Sequence, residues 1–200
     1  MTVKLIAFAG SSRKASLNKK LARAAAHEAE TQGAHVTLVD LVDFPMPIYN
    51  GDLEEAEGAP AAAKRLKALI REHDAVFIAA PEYNSGVTPL LKNTIDWLTR
   101  KHDDESDPID LFKRCVWGLG AVSNGSLGGL RGLIPLRQTF IGLSALVVSE
   151  QTAVKFGNDA FDENDRLKDE ATARLLKNQI ARMIKVATAL GAYSAQAGST

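Results

Sequence analysis

The stretch VKLIAFAGSSRKASLN (residues 3–18) decides how this chain folds. Residues 3–9 form an apolar run without regular polar alternation, the pattern of a strand covered on both faces. The run breaks at Gly10-Ser11-Ser12-Arg13. Helical periodicity follows, with Leu17, Leu21, Ala25 and Ala29 spaced by four and a natural stop before Gly33. A buried strand, a small polar loop and a helix, in that order, open a sheet built from parallel crossovers.

The same unit recurs along the chain. Apolar runs at AVFIAA (75–80), CVWGLGAV (115–122) and SALVVS (144–149) read as buried strands, and the more alternating HVTLVDL (35–41) as an edge strand. Helical patterns lie between them. Residues 60–72 open with Pro60 and place Leu66, Leu69 and Ile70 on one face. Residues 89–100 follow the capping pair Thr88-Pro89, with Leu91, Ile95 and Leu98 inward. The longest helix, 167–190, carries Leu175, Leu176, Ile180, Met183, Ile184 and Val186 on its apolar face. Segments 43–59, 102–113 and 150–165 read as irregular, and the first is long enough to favour a functional loop or an interface over slack. The expectation is one α/β domain spanning residues 1–200.

Composition narrows the function. Lys plus Arg and Asp plus Glu each number 24, and this zero net charge argues against nucleic acid as the main partner. The single cysteine, Cys115, excludes an internal disulfide and a thiolate cluster, and its apolar setting makes it a core residue. The four histidines, at 27, 35, 73 and 102, show no ligand spacing, so no metal site is expected. No run approaches the roughly 20 apolar residues that span a bilayer, and the N-terminus reads as a first strand, not a signal peptide. A cytoplasmic protein with no membrane partner is expected.

In a parallel sheet, ligands bind beyond the carboxyl ends of the strands, where strand order reverses. Three loops fall there: GSSRKASLN (10–18), PEYNSGVT (81–88) and SNGSLGGLR (123–131). The first offers Ser11, Ser12 and Ser16 hydroxyls, the Asn18 amide, the Arg13 guanidinium and the free N–H groups that open a helix, a shell suited to a phosphate monoester. The plainer alternative is that Ser16 and Asn18 only cap the helix. No Gly-Lys-Ser/Thr ending is present, so triphosphate chemistry is not indicated. In the second loop Pro81 ends the strand, and Glu82, Tyr83 and Asn84 offer backbone amides and an aromatic face to a flat heterocycle. Tyr83 packing on the domain surface is the other reading. Gly125, Gly128 and Gly129 in the third loop permit a close backbone approach from the opposite side.

GSSRKASLN, PEYNSG followed by LKNTIDWLTR, and SNGSLGGLR, in that order, resemble the NADPH-dependent FMN reductase family over about residues 3–150. The resemblance implies a flavodoxin-like, three-layer, doubly wound five-stranded parallel sheet. It also implies bound FMN, its 5′-phosphate held by Ser11, Arg13, Ser16, Leu17 and Asn18. The isoalloxazine would lie along Pro81, Glu82, Tyr83 and Asn84, with Ser123 and its neighbours across from it. The implied activity passes a hydride from NADPH or NADH through FMN to a small acceptor: a quinone, free flavin, azo compound or metal oxyanion. No protein acid or base is then required, because the cofactor carries the chemistry, and no catalytic residue is named. A homodimer or homotetramer is implied. The alternative is a flavodoxin-like electron carrier without its own NAD(P)H activity, which the neutral net charge disfavours.

The sequence departs from the family where Pro89 follows a threonine that many relatives replace with proline, and where Pro135 falls inside an expected helix, predicting a kink or a start near that residue. Asp96 is expected to pair or cap locally, Lys92 and Asn93 to tie their helix to neighbouring loops or a second subunit, and HDDESD (102–107) to be a solvated acidic loop. Arg131 and Glu150 are candidates for the pocket mouth or a subunit interface. Arg100, Lys101 and Arg131 are candidates for the 2′-phosphate of NADPH.

Overall fold

The computed structural model describes residues 2–102 and 105–197, with side chains described through residue 191. Five parallel strands form the sheet: β1 (Lys4–Ala9), β2 (His35–Asp40), β3 (Ala75–Ala79), β6 (Val116–Val122) and β7 (Leu146–Val154). Their order is β2-β1-β3-β6-β7, and every pairing is parallel. The strand order therefore reverses between β1 and β3, directly beneath the first two candidate loops. Two further strands, β4 (Glu82–Tyr83) and β5 (Gly86–Val87), make a small antiparallel hairpin outside the sheet.

The lack of alternation in β1 has its cause in the two cores. Leu5, Ala7 and Ala9 face a core completed by α1 (Leu17–Thr31) and α7 (Glu170–Ala197). Ile6 and Phe8 face a second core completed by α3 (Ala61–Arg71), α4 (Pro89–Leu98) and α6 (Leu130–Gly142). Both sets are buried, so the layering is helix, sheet, helix. The first core is alanine-rich along α1, with Ala22, Ala25, Ala26 and Ala29 letting that helix sit close to the sheet. In α7 the amide of Gln179 donates to the Leu119 carbonyl (2.9 Å) and accepts from Thr152 Oγ1 (2.7 Å), satisfying the irregular register between β6 and β7.

Several elements differ from the expectation. Strand β7 runs to Val154 rather than stopping near 149, because an edge strand carries polar residues that hide it from an apolar search. Segment 43–59 contains a helix, α2 (Gly51–Glu57), capped by the Asn50 side chain. Segment 102–113 ends in a short helix, α5 (Asp110–Arg114). The helix α6 continues through Pro135 instead of starting there. Leu175 is exposed: the buried stripe of α7 runs through Leu176, Ile180, Met183 and Ala187, one residue out of phase with it.

The acidic loop is also not simply solvated. Asp103 and Asp104 lie outside the described residues, but Glu105 accepts from Lys67 Nζ at 2.6 Å and also pairs with Arg71. The Lys67 side chain is only 1 % exposed and donates a second bond to the Arg100 carbonyl, so this network closes α3 onto the segment after α4. Segment 47–49 is held to α4 in the same way. Trp97 Nε1 and Asn93 Nδ2 both donate to the Pro47 carbonyl, and Asn93 Oδ1 accepts from the Tyr49 N–H. Asn93 thus ties its helix to a loop as expected, whereas Lys92 pairs with Asp96 along the helix.

Candidate active site

The carboxyl ends of β1, β3 and β6 meet at a cleft of about 180 Å³. Ser11, Arg13, Ser16, Leu17, Asn18, Pro81, Glu82, Tyr83, Val122, Ser123 and Asn124 line it. Nine of the ten sequence candidates are therefore brought together; the tenth, Asn84, is exposed on the hairpin turn with φ of 51°. Val122 and Asn124 were expected only as unnamed neighbours of Ser123. Their signal was position alone, the last strand residue and the residue after Ser123 on the third loop.

The end where the sequence places an anion is built by the start of α1. Ser16 caps it, its Oγ accepting the Lys19 N–H at 3.4 Å, while the Lys20 N–H goes to the Ser16 carbonyl. The first N–H groups of a helix have no intrahelical acceptor, so those of Leu17 and Asn18 face the loop with the positive end of the helix dipole. Ser11 Oγ accepts from the Arg13 N–H (3.3 Å), which curls the loop back on itself. Ser11, Ser16 and Asn18 are all buried, whereas Arg13 is exposed. The Asn18 side chain does not present its amide face freely to an anion: Nδ2 donates to the Val122 carbonyl and Oδ1 accepts from the Val122 N–H, each at 3.0 Å. It works instead as a buried clasp between α1 and the end of β6.

The other end is the hairpin. Asn84 and Ser85, both at positive φ, make its turn, which suits a two-residue hairpin with small polar residues. Thr88 anchors its base twice, donating to the Gly10 carbonyl (2.8 Å) and accepting the Leu91 N–H as the cap of α4. The hairpin leans on α6, where a Cβ on Gly132 would meet the Glu82 Cα at 3.2 Å. The Glu82 carboxylate is engaged by α6. One oxygen accepts from Arg131 Nε (3.1 Å) and Nη2 (2.9 Å), the other from the Gly132 N–H (3.1 Å). Tyr83 keeps half of its surface exposed at the rim.

A further support of the third loop was not expected. The Gly157 N–H donates to the Ser123 carbonyl (3.1 Å) and the Asn158 N–H to Asn124 Oδ1 (3.0 Å), so the turn after β7 packs on the third loop. A Cβ on Gly157 would meet Val122 Cγ1 at 2.6 Å and Leu17 Cδ1 at 2.7 Å, so glycine lets the turn sit close without displacing those side chains. The Gly-Asn-Asp sequence at 157–159 was the available signal, masked by the hidden end of β7.

Residues 3–159 match the family of NADPH-dependent FMN reductases. The chain belongs to that family. It is an FMN-dependent NAD(P)H oxidoreductase with a flavodoxin-like fold. The reductase is 31 % identical over 182 residues to an NAD(P)H-dependent FMN reductase of Pseudomonas aeruginosa, covering 89 % of this chain and 91 % of that protein. It is 33 % identical over 148 residues to a quinone reductase of Escherichia coli, covering 74 % of each. Among solved structures, it resembles the flavoenzyme NAD(P)H:(acceptor) oxidoreductase FerB of Paracoccus denitrificans with a TM-score of 0.78 and 26 % identity, over 94 % of this chain and 98 % of that one.

The residues of the reductase fit FMN. Two hydroxyls, a cationic side chain and open helix N–H groups gather at one end, with no free carboxylate beside them, because Glu82 is engaged by Arg131 and Gly132. The far end offers backbone and an exposed aromatic ring. Among the described residues no group of three or more His, Cys, Asp or Glu could hold a metal. None of the described helices is long and apolar enough to cross a membrane.

Proposed function

We propose that the cleft holds FMN with its phosphate against Ser11, Arg13, Ser16, Leu17 and Asn18 and its ring system between the hairpin and the third loop. The observation that carries this reading is the single cleft, which joins an anion-binding helix start to an aromatic, backbone-rich rim. Within it, Ser11 and Ser16 donate hydroxyl protons to the phosphate and Arg13 supplies the counter-charge. The Leu17 and Asn18 N–H groups complete the shell, with the Asn18 amide locked on Val122. Pro81, Glu82 and Tyr83 supply the ring platform through backbone and aromatic face, and Ser123 faces it. Bound FMN supplies the redox chemistry, taking a hydride from a reduced nicotinamide and passing electrons to an acceptor. The protein's part is to orient the partners and limit water.

The acceptor we favour is a small quinone. The support is the sequence similarity to quinone reductases, joined to a rim whose exposed group is an aromatic ring rather than a cation cluster. A reduced pyridine nucleotide as co-substrate keeps the cytoplasmic reading. We also propose a homodimer or homotetramer. The cleft is shallow for a ligand of this size, and α6, which abuts the hairpin, presents Ile134 and Ile141, each 62 % exposed, on its outer side. A second copy laid on α6 would cover those residues and deepen the cleft.

Steady-state assays test the reading. FMN-loaded protein should oxidise NADPH with a quinone as acceptor, and Arg13→Ala should weaken FMN binding about tenfold or more through loss of a charge-assisted phosphate contact. An unchanged FMN affinity in Arg13→Ala would remove the phosphate assignment. Light scattering of the purified protein reports the oligomer, and a strictly monomeric active enzyme would contradict that part.

A further inference from the structure

Among the described residues, five other than glycine adopt positive φ: Asn84, Ser85, Ser144, Phe156 and Asp165. Four of them are small polar residues that tolerate the left-handed region in turns. Phe156, at φ 49°, is not. A bulky aromatic gains nothing locally from this conformation, which Gly or Asn would adopt with less strain. Nor does burial compensate, because Phe156 is 61 % exposed. The ring therefore costs the fold twice, once in backbone strain and once in exposed apolar surface. Strained, exposed side chains of this kind gather where a ligand is handled.

The place agrees. Phe156 immediately precedes a turn whose Gly157 and Asn158 N–H groups bond to Ser123 and Asn124, two residues that line the cleft. The Asp159 N–H donates back to the Phe156 carbonyl (3.0 Å), closing a tight turn that fixes the residue beside the third loop. Tyr83 lines the cleft from the hairpin, half exposed. Two exposed aromatic residues thus stand by the cleft, one in its lining and one in the turn bonded to its lining. We propose that Phe156 is a stacking subsite for a flat aromatic ring of the second substrate, outside the FMN contacts. The inference rests on the FMN reading of the cleft. Two rings share this chemistry, the adenine of the reducing nucleotide and the ring of a quinone acceptor.

Phe156→Asn and Phe156→Gly test the subsite, with Phe156→Tyr as the conservative rescue. Relief of backbone strain should leave the melting temperature unchanged or raise it by roughly 2–6 °C. FMN affinity, read by flavin fluorescence, should stay within about twofold. Loss of stacking should raise one KM about 5- to 50-fold, and Phe156→Tyr should restore it. A rise for NADPH without a rise for dihydronicotinamide mononucleotide, which lacks adenine, assigns the ring to adenine. A rise for benzoquinone alone assigns it to the acceptor. FMN uptake and turnover with every KM unmoved would overturn the subsite and leave the FMN reading intact. Dissociation of the variants into smaller species would overturn it by placing the ring in a subunit contact. A wild-type chain that takes up no FMN would overturn both readings.

Discussion

The Glu82 carboxylate and the Arg131 guanidinium join two loops of the cleft: Arg131 donates two bonds to one oxygen, and the other oxygen sits on the Gly132 N–H at the start of α6. The hairpin beside the cleft is thereby fixed to the helix that follows the third loop. Arg131, a sequence candidate for a nucleotide phosphate and for the pocket mouth, makes this pair with its side chain 58 % exposed.

Removing the Glu82 charge should loosen this junction. Glu82→Gln keeps an acceptor for Gly132 but loses the charge-assisted pair, worth about 1–2 kcal/mol. FMN affinity should fall about five- to twentyfold in a fluorescence titration, and Glu82→Ala should fall further. Arg131→Ala should reproduce the milder effect, since the Gly132 bond survives.

Asn18→Ala should act on stability before it acts on the ligand. The substitution removes the buried partners of the Val122 N–H and carbonyl, which Asn18 satisfies across 104 residues of chain. Two unsatisfied groups cost about 2–4 kcal/mol, a drop in melting temperature of roughly 5–15 °C. Loss of FMN affinity without loss of stability would mean that Asn18 is a ligand residue and not a clasp.

Residue type alone could not reveal this division of labour. The Gly-Ser-Ser-Arg loop, the Thr88 cap and the five strands were legible because each follows from a local pattern: apolar runs, a capping hydroxyl, a helix stop at Gly33. That Glu82 would point at Arg131, or Asn18 at Val122, depends on contacts 49 and 104 residues away, which no window of sequence contains. That α6 does not start at Pro135 has a related reason. A proline predicts a break when the helix is considered alone, but α6 is held by Leu133, Leu136 and Phe140 in the core on either side of it. The turn at 155–159 stayed hidden because polar residues disguised the end of β7.

The pair of Lys67 and Glu105 should respond asymmetrically. Burial pushes the Lys67 amine down, and Glu105 only partly offsets that. Glu105→Gln strands an ammonium that is almost fully buried and should cost about 3–5 kcal/mol in urea unfolding. Lys67→Met leaves Glu105 its Arg71 partner and should cost less. Equal losses would contradict the assignment of Lys67 as the dependent member.

Acid should destabilise the protein in two stages. Burial, then the nearby Lys67 charge, holds His102 below its ordinary 6.5, so the unfolded chain takes up a proton first and stability falls as pH drops below about 6.5. Burial pushes Glu105 up, but its bonds to Lys67 and the His102 N–H, with the Lys67 and Arg71 charges, outweigh that and leave its carboxyl below 4.5. Its stabilisation is present above that value and is lost as pH falls through the folded pKa. Chemical denaturation from pH 8 to 3 should show both limbs, and Glu105→Gln should flatten the lower one.

Cys115 should be inert. Burial pushes its thiol up to about 12, so a disulfide reagent at neutral pH should label it only as fast as the chain unfolds. Rapid labelling of the folded protein would contradict the core it sits in.

The most direct test of the central claim is the visible spectrum of the FMN-loaded protein during anaerobic addition of NADPH. The account predicts a flavin band that bleaches promptly and returns when a quinone is added. A bound flavin that stays oxidised with both NADPH and NADH would contradict it.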